Sequence, residues 1–426
     1  MKQQVTVREF ARLTTAAVTE PSLDYAQISA SAFNWLCGSR ARLASNGADL
    51  LHFYDARSLR LDNYVGVLET PCGTRIEILP KVHDRPGAEA ASRRLLRRMI
   101  AVALDMKPRE AGTSDLESFN APLSEWVIAK FLAELRHVVK RGLRCDYRNV
   151  EENSGFLRGR LDVPRQMRQP LGRQHRFEIR HDLFGADRAE NRLLRRALDQ
   201  AATATQSPEN WRLAQELRFF LHEVPQSTNV NADLRAWQGD RLMAHYRGVR
   251  PWCELILHRQ MPYSLVGAWH GISMLLPMER LFERYVTSYL ERVTNARVTF
   301  RRQAASEFLC VHEGERMFRL QPDVLLEAAD RRWVLDMKWK QLDSSDRVNK
   351  YGISQADLYQ LFAYGVKYLG PEGGELVLIY PKSASFAHPL SVFDLGKGLR
   401  LHALPFDLDQ QELVGFANAA LPMATT

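Results

Sequence analysis

The stretch Leu320–Lys340, LQPDVLLEAADRRWVLDMKWK, constrains this chain more than any other, because it sets an aspartate at one end of each of two apolar, strand-like runs. Asp323 follows Pro322 and precedes Val324-Leu325-Leu326, whereas Asp336 follows Trp333-Val334-Leu335 and Lys338 comes two residues later. Strand aspartates ordinarily sit where water reaches them, since a buried carboxylate without partners is costly. A turn centred on Ala329-Asp330 makes the runs a symmetric hairpin in which Asp323 lies opposite Asp336, and the strand period of two gives Lys338 the same facing as Asp336. Two facing carboxylates repel, and one keeps its proton unless a cation lies between them. Magnesium resolves that conflict, taking one or two carboxylates together with phosphate oxygens and water. With a lysine beside it to stabilise transition-state charge, this is a constellation for phosphodiester hydrolysis. The bland alternative is a hairpin with a surface Asp-Lys ion pair.

The rest of the chain supplies a setting for that hairpin. Its 426 residues exceed what one hydrophobic core usually supports, so several domains are expected. Tyr64–Val82 reads as two β-rich runs around Thr70-Pro71-Cys72-Gly73, a hairpin within an N-terminal β-rich domain. Apolar residues then recur every three and four positions from Leu123 to Val139, predicting an amphipathic helix. Further helices are expected from Asp187 and after Ser207-Pro208, which offer an N-cap and a first-turn proline. Between them, Leu157–Arg180 carries seven arginines against Asp162 and Glu178, and its prolines and glycines predict loops and hairpins. Such density suits contact with phosphates, or equally a solvated basic loop.

Near the C-terminus the order is a helix in MERLFERYVTSYLERV, a strand in ARVTF, the acidic hairpin, a helix in SQADLYQLFAYGVKYL and a strand in GELVLIYP. That order suits a mixed sheet with helices on its faces. The fold class is therefore α+β and multi-domain, divided at 1–110 (β-rich), 111–265 (mostly helical, with the basic hairpins) and 266–426 (α/β).

Charge and cysteine content narrow the function classes. A formal net charge of +8 favours an anionic partner. Five scattered cysteines, without CxxC or Cys/His spacing, exclude a zinc-ribbon reading and favour a reduced, cytoplasmic protein. The first residues lack an apolar signal core, and no run reaches the roughly 18 apolar residues of a membrane span. No phosphate-binding GxxxxGK[ST] loop occurs, so this chain alone is not expected to bind a nucleotide.

Pro322-Asp323 followed by Asp336-Met337-Lys338 resembles the PD-(D/E)xK nuclease signature. The resemblance implies that the Met337 backbone carbonyl joins Asp323 and Asp336 as a metal ligand and that the preceding helix adds a carboxylate, Glu283, with Glu279 one turn earlier as its rival. Gln355 and Tyr359, four apart after a capping box at Ser354 and Asp357, resemble the QxxxY element of RecB-like members. More narrowly, YVGVLETPCGTRIEILPKV, GFLRGRLDV, AENRLLRRAL, MERLFERYV, PDVLLE, LDMKWK and ISQADLYQLFAYGVKY, in this order, resemble the McrC family, the nuclease subunits of McrBC-type modification-dependent restriction systems. That resemblance implies a magnesium-dependent endonuclease acting on double-stranded modified DNA together with a McrB-like AAA+ GTPase ring, which the N-terminal part docks on and stimulates. Asp323, Asp336 and Lys338 are then catalytic, Glu283 supports the metal, and Gln355 and Tyr359 support the site. Arg158 or Arg160 is expected to act on the partner's nucleotide or acidic residues. Two rival readings are a non-catalytic subunit that activates the ring and a stand-alone RecB-like exonuclease.

Overall fold

The structure is a computed structural model that describes residues 3–43, 51–82, 88–103, 123–170, 172–173, 175–237, 241–257, 274–329 and 331–423. The divisions expected at 110 and 265, and Asp330 at the centre of the acidic hairpin's turn, lie outside the described residues. Residues 1–120 and 275–426 together make one compact unit, and residues 121–274 make a second.

The N-terminal part of the first unit runs β1 (Gln4–Arg8), β2 (Arg12–Thr14), β3 (Tyr25–Gln27), α1 (Ala30–Leu43), β4 (Leu51–Asp55), β5 (Ser58–Leu61), β6 (Tyr64–Glu69), β7 (Arg75–Leu79) and α2 (Ala88–Ala103). The expected hairpin is β6–β7, antiparallel with Glu69 opposite Arg75. Thr70 N–H bonds the Thr74 carbonyl at 2.9 Å to close the loop, and Gly73 supplies the left-handed φ of 86° that the turn requires. Both strands are buried throughout because β1 lies parallel to β7 while α2 packs on the sheet.

The second unit is helical around a small sheet. Its elements are α3 (Leu123–Arg141), β8 (Asp146–Ser154), β9 (Arg160–Leu161), α4 (Val163–Gln166), β10 (Phe177–Gly185), α5 (Ala189–Ala204), α6 (Pro208–Phe220), α7 (Val230–Ala236) and α8 (Val249–Leu257). The apolar stripe of α3 is buried, and Trp126 meets Trp252 of α8 edge to face at 5.3 Å. Ser207 caps α6 and Pro208 opens it, as the sequence predicts. The arginine-rich segment forms β9, the single turn α4 and the start of β10, a sheet with its strands in the order β8-β10-β9.

The C-terminal part returns to the first unit with β11 (Met274–Pro277), α9 (Met278–Val293), β12 (Thr299–Arg302), β13 (Phe308–His312), β14 (Glu315–Arg319), β15 (Val324–Glu327), β16 (Arg332–Met337), α10 (Gln355–Tyr364), β17 (Gly374–Pro381), β18 (Phe393–Asp394), β19 (Leu399–Asp407) and β20 (Glu412–Leu413). Strand β11 joins the edge of the N-terminal sheet beside β6, so the two ends of the chain share a sheet. The larger sheet runs β12-β15-β16-β17-β19-β18, parallel across β16, β17 and β19, with β20 also on β19. Val334, Leu376 and Leu378 pack with Leu361 and Tyr364 of α10 on one face. On the other, Phe282 of α9 meets Trp339 and Phe406 at 5.3 and 6.4 Å. A sheet covered by helices on both faces buries near-continuous apolar strands, and β17, with seven buried residues of eight, is of that kind.

Candidate active site

The hairpin register is Val324 opposite Leu335 and Glu327 opposite Arg332. One step further along the same register, Asp323 faces Asp336. Asp323 closes the loop that leads into β15; its Oδ2 accepts the Met337 N–H at 2.7 Å, and its carbonyl accepts the Gln303 N–H at 2.8 Å. Asp336, one residue from the end of β16, is buried, and Lys338 Nζ lies 2.7 Å from its Oδ2. Beyond the last β16 residue, Lys338 N–H still reaches the Ile379 carbonyl of β17 at 3.0 Å, which fixes where its side chain starts.

Burial, followed by the negative charges of Asp336 and Glu283, pushes Asp323 up to about 8, against the opposing pull of the Met337 N–H and Lys338. Burial also raises Asp336 above the usual carboxylate range, with Lys338 opposing it. Burial disfavours the Lys338 ammonium, but the surrounding Asp336, Asp357 and Asp323 outweigh it and hold the lysine above its ordinary value. The three groups titrate as one assembly in which the two aspartates hold protons more tightly than ordinary carboxylates.

Of the two glutamates on α9, Glu279 is exposed, whereas Glu283 is half-buried, accepts from Gln303 Nε2 at 2.9 Å and adds its charge to both aspartates. Gln355 and Tyr359 bond to each other on the exposed side of α10. A second Gln-x-x-x-Tyr, in the adjoining frame, reaches the centre instead. Gln360 Oε1 accepts from Lys338 Nζ at 3.2 Å, Gln360 Nε2 donates to the Tyr364 hydroxyl at 2.7 Å, and that hydroxyl donates to the Gln321 carbonyl at 3.1 Å. This chain of bonds runs from Lys338 back to the residue two before Asp323. The signal was present in the sequence: Asp357, Leu361 and Tyr364 make the buried stripe of α10, and only the Gln360–Tyr364 pair borders it. Asp357 also escaped notice as part of the centre; it accepts from Lys340 Nζ at 2.8 Å and contributes charge to Asp336.

Arg158 and Arg160 belong to the second compact unit. Arg158 pairs with Glu152 at 3.2 Å, and Arg160 stands opposite Arg180, which binds Glu151 and Asp162 at 3.0 and 2.6 Å. Much of the arginine charge is thus answered by acids on the same small sheet.

Among the described residues, no set of three or more His, Cys, Asp or Glu side chains is arranged to hold a metal ion. The donor set that exists is two facing carboxylates of raised proton affinity, one of them already partnered by an ammonium. It fits magnesium, which fills most of its shell with water and needs one or two carboxylates.

Fold and site together define a multi-domain α/β protein with an acidic pair and a lysine at the end of a central strand. The family described as McrBC 5-methylcytosine restriction system component matches residues 59–381, and the chain belongs to it. No curated protein matches the chain. In fold it is similar to a chain of the half-complex from the tetradecameric assembly of Thermococcus gammatolerans McrB AAA+ hexamers with bound McrC, at 19% identity and a TM-score of 0.67 over 95% of each chain. It is also similar to a chain of the Thermococcus gammatolerans McrBC complex, at 21% identity and a TM-score of 0.51 over 68% of this chain and 88% of the other. The resemblance to the McrC family drawn from its motifs agrees with both the family match and the fold. Among the described residues, no helix is long and apolar enough to cross a membrane.

Proposed function

We propose that the chain is the magnesium-dependent endonuclease subunit of a McrBC-type restriction complex, cutting double-stranded modified DNA through a PD-(D/E)xK centre in its C-terminal part. The observation that carries this reading is the register of β15 and β16, which sets Asp323 against Asp336 with Lys338 beside it. Asp323, Asp336 and the Met337 carbonyl would hold the metal, with Glu283 in support. The chemistry that magnesium would supply there is Lewis-acid polarisation of a phosphate oxygen and a lowered pKa for the water that provides the nucleophile. Lys338 gives up its contact with Asp336 to place its positive charge against the developing charge on phosphate oxygens, which is worth most in a site sheltered from water. Gln360 keeps the lysine aimed while it exchanges partners.

Membership of the family and likeness to a McrC-containing assembly support a McrB-like AAA+ GTPase ring as the partner. The chain stimulates that ring's hydrolysis, and Arg158 and Arg160 are candidate contacts to it.

The test incubates the chain with its cognate ring GTPase, GTP, magnesium and methylcytosine-containing plasmid, beside Asp336→Ala and Lys338→Ala. Each substitution is expected to lower cleavage on the order of 10²–10³-fold or more while GTPase stimulation persists. Undiminished cutting by both variants rules out this centre. Cutting without the ring would mark a stand-alone exonuclease, and stimulation without any cutting a non-catalytic activator.

A further inference from the structure

The N-terminal segment reaches the candidate centre through one buried carboxylate that no step above uses. Glu9 follows β1 and is fully buried. Its N–H bonds the Leu79 carbonyl at 2.9 Å, and its Oε1 accepts the Lys81 N–H at 2.7 Å, so it pins the ends of β1 and β7 together. Both of its oxygens also face the Trp339 indole N–H, at 3.1 and 2.9 Å. Gln341 adds a second tie, from its side-chain amide to the Lys81 carbonyl at 3.2 Å. Trp339 is the residue after Lys338 and lies past the end of β16, just beyond the Lys338 N–H that bonds the Ile379 carbonyl of β17.

Packing does not explain the contact. A cavity of about 270 Å³, lined by Glu9, Phe10, Lys81, Trp339, Lys340 and Lys382 among others, lies beside the pair. The indole therefore rests on Phe282 and has open space along another side. An apolar residue at position 9 would avoid the burial that pushes the Glu9 carboxyl up to about 7, but it would leave the Lys81 N–H and the Trp339 indole N–H without the acceptor they have here. What the carboxylate adds is direction. It orients the indole of Trp339, the residue next to the Lys338 backbone that β17 holds through the Ile379 carbonyl.

We propose that Glu9 is a positioning residue of the reaction centre: through the Trp339 indole it holds Lys338 against Asp336, so that the centre is completed by the N-terminal sheet. The proposal rests on the reading of Asp323, Asp336 and Lys338 as that centre. It concerns a residue that lies before the span matched by the family, 59–381.

The experiment compares the full chain, assembled with its cognate ring on modified DNA with magnesium, with Glu9→Gln, Trp339→Phe and the double variant. Trp339→Phe keeps an aromatic ring and loses the N–H donor together with the second ring of the indole. Each single variant is expected to lower kcat on the order of 10²-fold with KM little changed, as a displaced catalytic group does. The double variant is expected to lose no more than either single one, because the two residues act through one bond. Trp339→His, which retains a ring N–H, should recover part of the loss.

Crystal structures of the single variants give a readout independent of cleavage: Lys338 Nζ should move from its 2.7 Å contact with Asp336. If Nζ keeps that contact in both, or kcat is unchanged, the proposal is overturned. A parallel fall in kcat, melting temperature and GTPase stimulation, without rescue by histidine, would also overturn it, because it would mark a merely structural role. Should the wild type cut no DNA, the nuclease reading fails, while the position of Lys338 still decides whether Glu9 holds it.

Discussion

Asp323 illustrates a residue kept at the expense of stability. Its carboxyl is pushed up to about 8 in the fold, mainly by burial and then by Asp336, whereas in the unfolded chain it titrates near the ordinary value of 3.8. The folded state therefore holds the proton more tightly. The stability that goes with the bound proton is fully present below about pH 4 and drains away as pH rises towards 8. Asp323→Asn carries no such liability and still offers an oxygen to the Met337 N–H. It is expected to melt higher than wild type at pH 8 by roughly 1–2 °C, the shift that about 1 kcal/mol produces in a unit of this size. The advantage should open above pH 4, level off above pH 8 and vanish at lower pH, as followed by calorimetry. The same variant should not cut DNA. Magnesium should narrow the gap at pH 8 by stabilising the wild type alone, since a ligand that binds only the native state raises its stability. A variant that melts no higher than wild type at pH 8 would show that the aspartates do not strain the fold.

At the scale of elements, the acidic hairpin was legible in the sequence because its turn is short and its period is two, so one symmetric register sets Val324 opposite Leu335 and carries Asp323 to Asp336. Helix α10 was legible in extent, with Ser354 as its cap, but not in orientation. Two consecutive Gln-x-x-x-Tyr frames satisfy the same spacing, and only packing against Val334 and Leu376 decides which faces the sheet. The exposed β13–β14 hairpin was missed, since FLCVHEGERMFR shows no clean alternation and both its strands lie largely in solvent. The frame of α10 leads to a direct comparison. Gln360→Ala removes the acceptor that orients Lys338 and is expected to lower cleavage on the order of 10–100-fold, the usual effect of losing a group that aims a metal-site residue. Gln355→Ala breaks only a surface bond to Tyr359 and should leave cleavage unchanged. Initial-rate assays of the two variants at saturating magnesium suffice, and equal losses would show that both frames serve the centre.

For the whole molecule, what periodicity cannot reveal is which distant segments share a core. The helical middle is a compact unit of its own, in which α3 and α5 pack on α6 and α3 on α8. The first unit is assembled instead from both ends of the chain. Strand β11 takes its place beside β6, α2 packs on α9, Met278 N–H bonds the Asn63 carbonyl at 3.1 Å, and Arg98 of α2 bonds the Leu408 carbonyl. Such long-range pairing costs loop-closure entropy, which only the completed interface offsets. The two units should therefore respond differently to dissection. A fragment of residues 121–274 retains its core and is expected to unfold in one cooperative transition. A chain lacking residues 1–82 leaves β11 without a strand partner and Trp339 without its acceptor, although the large sheet is intact in sequence. It should lose the cooperative transition of the first unit, and its tryptophan emission should shift to longer wavelength as Trp339 becomes wet. Should the truncated chain instead melt cooperatively with buried tryptophan emission and still cut DNA with the ring GTPase, the C-terminal sheet would be a self-sufficient domain, and the N-terminal sheet would have no part in building the centre.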